Sequence, residues 1–291
     1  MENLVSTDWL NEHLLDPELK IFDCTNFAEF DAKSNKYKTA SGRENWIQEH
    51  IAGNSYMEFI SGLTGDDALY RNTLPTPEQF ANTMGRLGIG NDSKVILYDT
   101  ENSMWAARVW WMLRWIGFDN AAILDGGLSR WKSKYGTASG DFSDYKPAFL
   151  SHHERTKLFI DQAAMKFALD NDSILIVDAL SEAQFNGHKS SLGLCGHIPG
   201  AINIPATSLI DPVTKQFLAL EQLAKIFPQD KTKEMIIYCG SGIAAAANSY
   251  IMHRLGFKEV AIYMPGLQEW VQNKNLPIIN GDILKRTRII T

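Results

Sequence analysis

Short apolar runs that end in a polar residue recur along the chain. Four of them, at residues 20–23, 95–99, 175–178 and 235–239, end in Asp23, Asp99, Asp178 and Cys239. Runs of this length are typical of buried strands, and the longer stretches between them have the spacing of amphipathic helices. Strands that alternate with helices predict an α/β fold, in which each small, mostly parallel sheet is flanked by helices on both faces.

The same pattern occurs twice. Three pairs of residues lie 139 positions apart, namely Gly117 and Gly256, Gly127 and Gly266, and Trp131 and Trp270. Tyr98 and Tyr238 lie 140 positions apart, so the second copy has one residue inserted beside Cys239. A segment rich in Gly, Ser, Asp and Pro separates the copies and is typical of a linker. We therefore predict two tandem domains, 1–138 and 158–291, joined by a linker at 139–157.

Composition narrows the possible classes of protein. The chain has 291 residues and a net charge of −6, which gives no general electrostatic footprint for nucleic acid. No run approaches the roughly 18 apolar residues of a membrane helix, and the acidic N-terminal stretch does not resemble a secretory signal, so we expect a cytoplasmic protein without a membrane partner. The three cysteines lack CxxC spacing, which disfavours a disulfide scaffold or a zinc site, and no cofactor is expected.

Cys239 stands where a reactive thiol is expected. It ends a predicted strand and is followed by Gly240, Ser241 and Gly242 and then by an Ala-rich helical stretch. Backbone N–H groups and the helix dipole converge on such a position, and both favour a thiolate and predict a lowered pKa. A buried, inert cysteine is the alternative. In the first copy the strand ends at Asp99 and no cysteine follows, so that copy cannot carry out thiolate chemistry.

Three motifs resemble those of tandem-domain rhodaneses. They are the Cys-Gly-Ser-Gly-Ile-Ala-Ala loop at 239–245, the Gly-His-Ile-Pro-Gly turn at 196–200, and the Arg-Val-Trp-Trp-Met-Leu-Arg helix at 108–114 followed by Leu-Asp-Gly-Gly-Leu at 124–128. The resemblance implies two rhodanese-like domains, of which the second is catalytic, with the active site in a cleft between them. A neutral loop after the cysteine is typical of members that use 3-mercaptopyruvate, whereas thiosulfate enzymes usually place basic residues there.

The resemblance also implies a mechanism and a set of site residues. Cys239 attacks the sulfur of 3-mercaptopyruvate and carries it as a persulfide, held by the amides of Gly240, Ser241, Gly242, Ile243 and Ala244, until a small thiol or a thioredoxin removes it. Ser241 relays a proton or orients the donor, although a serine here could equally cap the following helix. His50 matches a histidine that reaches the loop serine from the other domain. Thiosulfate as donor and a non-catalytic persulfide carrier or redox sensor are the alternatives.

One part of the family pattern is missing. Mercaptopyruvate enzymes usually have two arginines for the substrate carboxylate where this chain has Leu180 and Gln184. An amide such as Gln184 can still donate to a carboxylate, but without charge assistance. His188 and Lys189 are nearby cations that could replace the lost charge, unless they belong to a solvated surface loop. The supply of cations near Cys239 therefore distinguishes an enzyme from a sensor, and the sequence alone does not locate it.

Overall fold

The computed structural model describes residues 1–31, 36–67, 69–188 and 196–280. Its first half contains the following elements in chain order: β1 (Leu4–Val5), α1 (Thr7–His13), β2 (Leu19–Asp23), β3 (Asn26–Asp31), β4 (Lys36–Ser41), α2 (Arg43–Gln48), β5 (Ser55–Tyr56), α3 (Phe59–Gly62), α4 (Pro77–Arg86), β6 (Lys94–Tyr98), α5 (Met104–Trp115), β7 (Ala121–Leu124) and α6 (Gly127–Tyr135). The second half contains β8 (Phe159–Ile160), α7 (Gln162–Ala168), β9 (Ile174–Asp178), α8 (Glu182–Phe185), β10 (Ile202–Asn203), α9 (Leu220–Ile226), β11 (Glu234–Tyr238), α10 (Ile243–Arg254), β12 (Val260–Tyr263) and α11 (Leu267–Trp270).

Each half forms a five-stranded sheet. The strand orders are β1-β7-β6-β2-β5 and, listed from the opposite edge, β8-β12-β11-β9-β10. All pairings within these two sheets are parallel. The two orders correspond strand by strand, so the predicted α/β fold with two tandem domains is confirmed. β3 and β4 form a separate antiparallel hairpin in the first half.

The central strands β6 and β11 are apolar because they are covered on both faces. Their inner residues are almost completely buried, including Tyr98 and Tyr238 at their carboxyl ends. The two tyrosines make equivalent contacts. The hydroxyl of Tyr98 accepts a hydrogen bond from the backbone N–H of Ile51 at 3.4 Å, and that of Tyr238 accepts one from Ile198 at 2.9 Å. The duplication seen in the sequence therefore extends to side-chain contacts.

Helices α5 and α10 join the two halves. Trp110 of α5 meets Tyr250 of α10 edge to face with ring centroids 5.0 Å apart, and one continuous apolar core includes residues of both halves. The Nε1 of Trp111 donates to the backbone oxygen of Leu158 in the second half at 3.1 Å. Aromatic residues crowd α5 because this helix is buried between the first sheet and the second domain.

Residues 139–155 contain no helix or strand. This segment runs along the first half, where the amides of Ser143, Ala148 and His153 donate to backbone oxygens of that half at 2.7 to 2.8 Å. Within the residues that the structure describes, no helix is long and apolar enough to cross a membrane.

Candidate active site

A cavity of about 530 Å³ lies between the two domains at the carboxyl ends of their strands. The first domain contributes the β3–β4 hairpin, residues 71–72 and the start of α5. The second contributes Leu180, Gln184 and the loop that begins at Cys239. Ligands of parallel α/β sheets bind at this end of the strands, and the volume suits a small molecule.

Cys239 lies at the wall of this cavity, directly after β11, and is 2% exposed. Its Sγ accepts a hydrogen bond from the backbone N–H of Gly242 at 3.1 Å. The amides of Ser241 and Ala245 also stabilise the thiolate form. The loop therefore turns its amides inward around the sulfur, in the geometry of an anion-binding nest.

Gly242 allows the loop to curl in this way. Its φ is +81°, and a Cβ atom at this position would lie 2.2 Å from the sulfur of Met264 and 2.9 Å from a guanidinium nitrogen of Arg108. Only glycine satisfies both the backbone angle and the close approach. Gly242 is also the N-cap residue of α10, and no side chain caps this helix. The structure therefore does not support the alternative in which Ser241 caps it.

Burial raises the pKa of Cys239, although the amides of Ala245, Ser241 and Gly242 oppose this change. The sequence predicts the reverse, because the pattern reveals the loop amides but not the depth of the thiol. Desolvation disfavours the charged form and outweighs the amides at this depth. The predicted lowering of the pKa is therefore wrong for the free thiol.

The first domain has the corresponding loop with a carboxyl group in place of the thiol. Asp99 follows Tyr98 as Cys239 follows Tyr238. Its carboxyl oxygens accept five backbone N–H groups, from Glu101, Asn102, Ser103, Trp105 and Ala106, at 2.9 to 3.1 Å. One architecture thus surrounds a carboxyl group in one copy and a sulfur in the other, which shows that the loop is built to hold an anion.

The hydroxyl of Ser241 is held from the first domain by Asn72. The Nδ2 of Asn72 donates to Ser241 Oγ at 3.0 Å, and its Oδ1 accepts from the hydroxyl of Thr39 at 3.0 Å. Asn72 has a φ of +57°, which asparagine tolerates better than most residues. Because Ser241 Oγ accepts from Asn72, its own hydroxyl proton is available to the cavity.

Two arginines supply positive charge near the thiol. Arg108 is fully buried in α5; its guanidinium donates to the backbone oxygen of Asn72 at 2.9 Å and approaches the sulfur of Met264 at 3.4 Å. Burial lowers the pKa of Arg108 to about 10, and the negative charge of Cys239 opposes that change. Arg71 is half-buried and lines the cavity. Burial lowers its pKa, and the negative charge of Cys239 opposes that change, as it does for Arg108.

His50 does not reach the active-site loop. Its Nδ1 faces the backbone oxygen of Trp46 at 2.6 Å and its Nε2 faces that of Asp141 at 3.3 Å, so two carbonyls engage the ring inside the first domain. The prediction that His50 contacts Ser241 is therefore corrected, because Asn72 makes that contact. The His-Ile turn aligns His50 with His197, whose Nδ1 likewise faces a backbone oxygen, that of Phe185, at 2.8 Å.

The predicted substrate-binding residues divide into three cases. Gln184 lines the cavity, and its Oε1 accepts from the hydroxyl of Ser181 at 2.8 Å. His188 is exposed and is not among the residues that line the cavity, so its predicted role is corrected. Lys189 lies outside the described residues, as does Cys195.

Sequence reasoning missed Arg71 and Asn72, which lie in an irregular loop with no periodicity. In the sequence, Arg108 appears only as the first residue of the helix motif at 108–114. A signal for Arg108 was present, since a lone charged residue in the apolar stretch at 105–113 is rarely buried without a function. No comparable signal marks Arg71, because an arginine in a polar loop is usually solvated.

Comparisons with known proteins agree with this geometry. A family model of the rhodanese-like domain matches residues 6–134 and 161–273. A probable 3-mercaptopyruvate sulfurtransferase from Pseudomonas aeruginosa is 29% identical, over 96% of this chain and 98% of its own. Thiosulfate/3-mercaptopyruvate sulfurtransferase 2 from Arabidopsis thaliana is 30% identical, over 96% of this chain and 87% of its own. The crystal structure of SseA from Escherichia coli, a 3-mercaptopyruvate sulfotransferase, matches with a TM-score of 0.77 and 28% identity, covering 90% of this chain and 98% of that chain.

Two copies of one α/β domain enclose the cavity, and one copy places a cysteine in an amide-lined loop at its wall, an arrangement suited to group transfer through a thiol. The family match covers both copies. The chain belongs to the rhodanese family. The sulfurtransferase class predicted from the sequence is thereby confirmed.

Proposed function

We propose that this sulfurtransferase takes sulfur from 3-mercaptopyruvate onto Cys239 and passes it to a thiol. The observation that carries the proposal is the position of Cys239 Sγ, 3.1 Å from the amide of Gly242 at the wall of a cavity that also contains a guanidinium. A nucleophilic sulfur, amides that stabilise an anion and a cation for the donor carboxylate are what the reaction needs.

The chemical step is a displacement at sulfur. The Cys239 thiolate attacks the donor sulfur, an S–S bond forms, and the carbon–sulfur bond breaks with its electron pair moving to carbon as the enolate of pyruvate. The proton carried by the transferred sulfur, or the hydroxyl proton of Ser241, converts the enolate into pyruvate. The persulfide then sits in the amide nest. A small thiol or a thioredoxin attacks the outer sulfur and regenerates the thiolate.

Local charge supports 3-mercaptopyruvate over thiosulfate as the donor. Gly240 and Ser241 place no cation directly after the cysteine. Among the described residues that line the cavity, Arg71 is the cation and the exposed Glu101 is an acid. A lining with one guanidinium and one acid favours a donor with a single negative charge over the doubly charged thiosulfate.

Charge also supports an enzyme over a redox sensor. Arg71 and Arg108 give the site positive charge despite the missing arginines at 180 and 184, so the donor step has the electrostatic support that a sensor does not need. We further propose the division into a supporting domain 1–138, a linker 139–157 and a catalytic domain 158–291.

The proposed sulfur transfer needs a free thiolate and thiol acceptors. We therefore place the protein in a reducing compartment such as the cytoplasm.

The test is a comparison of donors with the purified protein. Pyruvate release is followed with 3-mercaptopyruvate and dithiothreitol or thioredoxin as acceptor, and thiocyanate formation is followed with thiosulfate and cyanide. The proposal predicts a kcat/KM at least about 10-fold higher for 3-mercaptopyruvate. A higher value for thiosulfate would favour the rhodanese alternative, and the absence of turnover with either donor would favour the persulfide carrier.

A further inference from the structure

Residue 71 is fixed to the catalytic loop through Gln268. The side chain of Gln268 accepts from the backbone N–H of Arg71 at 3.2 Å and donates to the backbone oxygen of Arg71 at 2.9 Å. The backbone N–H of Gln268 donates to the oxygen of Gly240, next to Cys239, at 3.2 Å. A single residue of α11 therefore joins the main chain at Arg71 to the loop that holds the thiol.

Asn72, the next residue, makes two further hydrogen bonds that hold this segment in place. Its backbone oxygen accepts from Arg108 and its side chain donates to Ser241, as described above. Two consecutive residues of the first domain are thus held by four hydrogen bonds to the side chains of Gln268, Arg108 and Ser241. The position from which the Arg71 side chain extends is therefore pre-organised relative to Cys239, as a specificity-determining side chain requires.

The guanidinium of Arg71 has the chemistry of an anion subsite. Arg71 lines the cavity together with Cys239, and the negative charge of Cys239 acts on its guanidinium. The guanidinium is half-buried, and burial lowers its pKa. Among the described residues, no carboxylate forms an ion pair with it and no hydrogen bond from its guanidinium occurs. A half-buried, unpaired guanidinium is costly, and a planar carboxylate is the partner that satisfies it with two parallel hydrogen bonds.

We infer that Arg71, from the first domain, binds the carboxylate of the α-keto acid donor. In this way it replaces the second-domain arginines whose positions Leu180 and Gln184 occupy. The inference rests on the proposed function. Arg71 sets the choice of donor and the affinity for it, and it takes no part in passing sulfur from the persulfide to the acceptor.

Two donors that differ only in the carboxylate test this inference. 3-Mercaptopyruvate carries the group, and mercaptoacetone has a methyl group in its place while keeping the thiol and the ketone. For Arg71→Gln we expect kcat/KM with 3-mercaptopyruvate to fall about 10- to 100-fold, mostly through KM, because charge-assisted hydrogen bonds are lost. With mercaptoacetone the same variant should stay within about two-fold of the wild type.

Further variants separate the subsite from effects on folding. Arg71→Lys keeps the positive charge but loses the paired hydrogen-bond geometry. Its kcat/KM with 3-mercaptopyruvate should lie between those of Arg71→Gln and the wild type. Arg86 is an exposed arginine of α4, and Arg86→Ala is the matched control. It should leave kcat/KM unchanged with both donors. Cyanolysis of the preformed persulfide should proceed at the wild-type rate in every Arg71 variant.

The outcomes are distinguishable. An equal loss with both donors would assign Arg71 a purely structural role, and an unchanged KM for 3-mercaptopyruvate would place the carboxylate elsewhere; either overturns the inference. If the wild-type protein turns over neither donor, the proposed function fails instead.

Discussion

Asn72 in the first domain donates a hydrogen bond to the hydroxyl of Ser241 in the second at 3.0 Å, across 169 positions of the chain. The first domain therefore contributes directly to the geometry beside Cys239. It does so with a neutral amide, which orients the hydroxyl but cannot itself take up a proton. This contact, rather than one from His50, couples the two domains at the active site.

The coupling between Asn72 and Ser241 is testable by a double-mutant cycle. Ser241→Ala should lower kcat about 10-fold or more, because the hydroxyl supplies or relays a proton to the leaving enolate. Asn72→Gly, which keeps the positive φ, should lower kcat by less. Adding it to Ser241→Ala should have little further effect, because both act through one hydroxyl. Fully additive losses in steady-state pyruvate release would show that the two side chains act independently.

The raised pKa of Cys239 predicts how its reactivity depends on pH. The thiolate is the nucleophile, so a pKa above the ordinary thiol value of 9.0 leaves most of the free enzyme as the unreactive thiol at neutral pH. The rate of alkylation of Cys239 by iodoacetamide should therefore rise steadily with pH and show no plateau below 9.0. A plateau near pH 7 in stopped alkylation reactions, read by mass spectrometry, would mean that the loop amides and the arginines outweigh burial.

Arg108 should favour the thiolate through its buried charge. In Arg108→Met the loss of that charge raises the pKa of Cys239 further, and alkylation at a fixed pH should slow by roughly 10-fold for each pKa unit. Arg108→Lys should restore part of the rate. Arg114→Met is the matched control, because Arg114 lies on the same helix and pairs with Asp119 at 2.9 Å. A change of the same size in the Arg114 variant would argue against an electrostatic role for Arg108.

The loop depends on the absence of a side chain at Gly242. Gly242→Ala should lower the free energy of unfolding by about 2–4 kcal/mol, since it combines a left-handed backbone with a clash against Met264. Gly256 has a similar φ of +89°, but nothing lies within 4 Å of the Cβ that an alanine would add. Gly256→Ala should therefore lower the free energy of unfolding by only about 1 kcal/mol. Urea denaturation of both variants measures the difference, and equal costs would mean that the clash is relieved by a small shift.

Much of the fold follows from local pattern. The strands β2 and β9 end in an Asp, and β6 and β11 are followed directly by Asp99 and Cys239. The fixed spacing of Gly and Trp pairs reveals the duplication. Cys239 stands out in the sequence because glycines follow it directly after an apolar run. These features are local or repeated, so a single sequence contains them.

The rest of the site depends on contacts between distant parts of the chain. Asn72 meets Ser241, and Arg71 meets Gln268, only because the two domains pack through α5 and α10. The loop that contains Arg71 and Asn72 has no hydrophobic periodicity. The burial that raises the pKa of Cys239 is a property of the folded chain and is not visible in the local sequence. The turn that contains His50 occurs in both copies, and in each copy its histidine contacts a backbone oxygen, so the sequence pattern alone does not separate this structural role from a catalytic one.

The central claim is that Cys239 alone carries the transferred sulfur, and a single-turnover reaction tests it most directly. The protein is treated with 3-mercaptopyruvate without an acceptor, and peptide mass and released pyruvate are measured together. We predict one pyruvate per chain and a gain of about 32 Da, one sulfur atom, confined to the peptide that contains Cys239. Cys239→Ser should show neither, whereas Cys24→Ser should show both, because Cys24 is buried in the first domain and its pKa is raised well above the ordinary value. Pyruvate release by Cys239→Ser at the wild-type level, or a sulfur atom on another residue, would contradict the account.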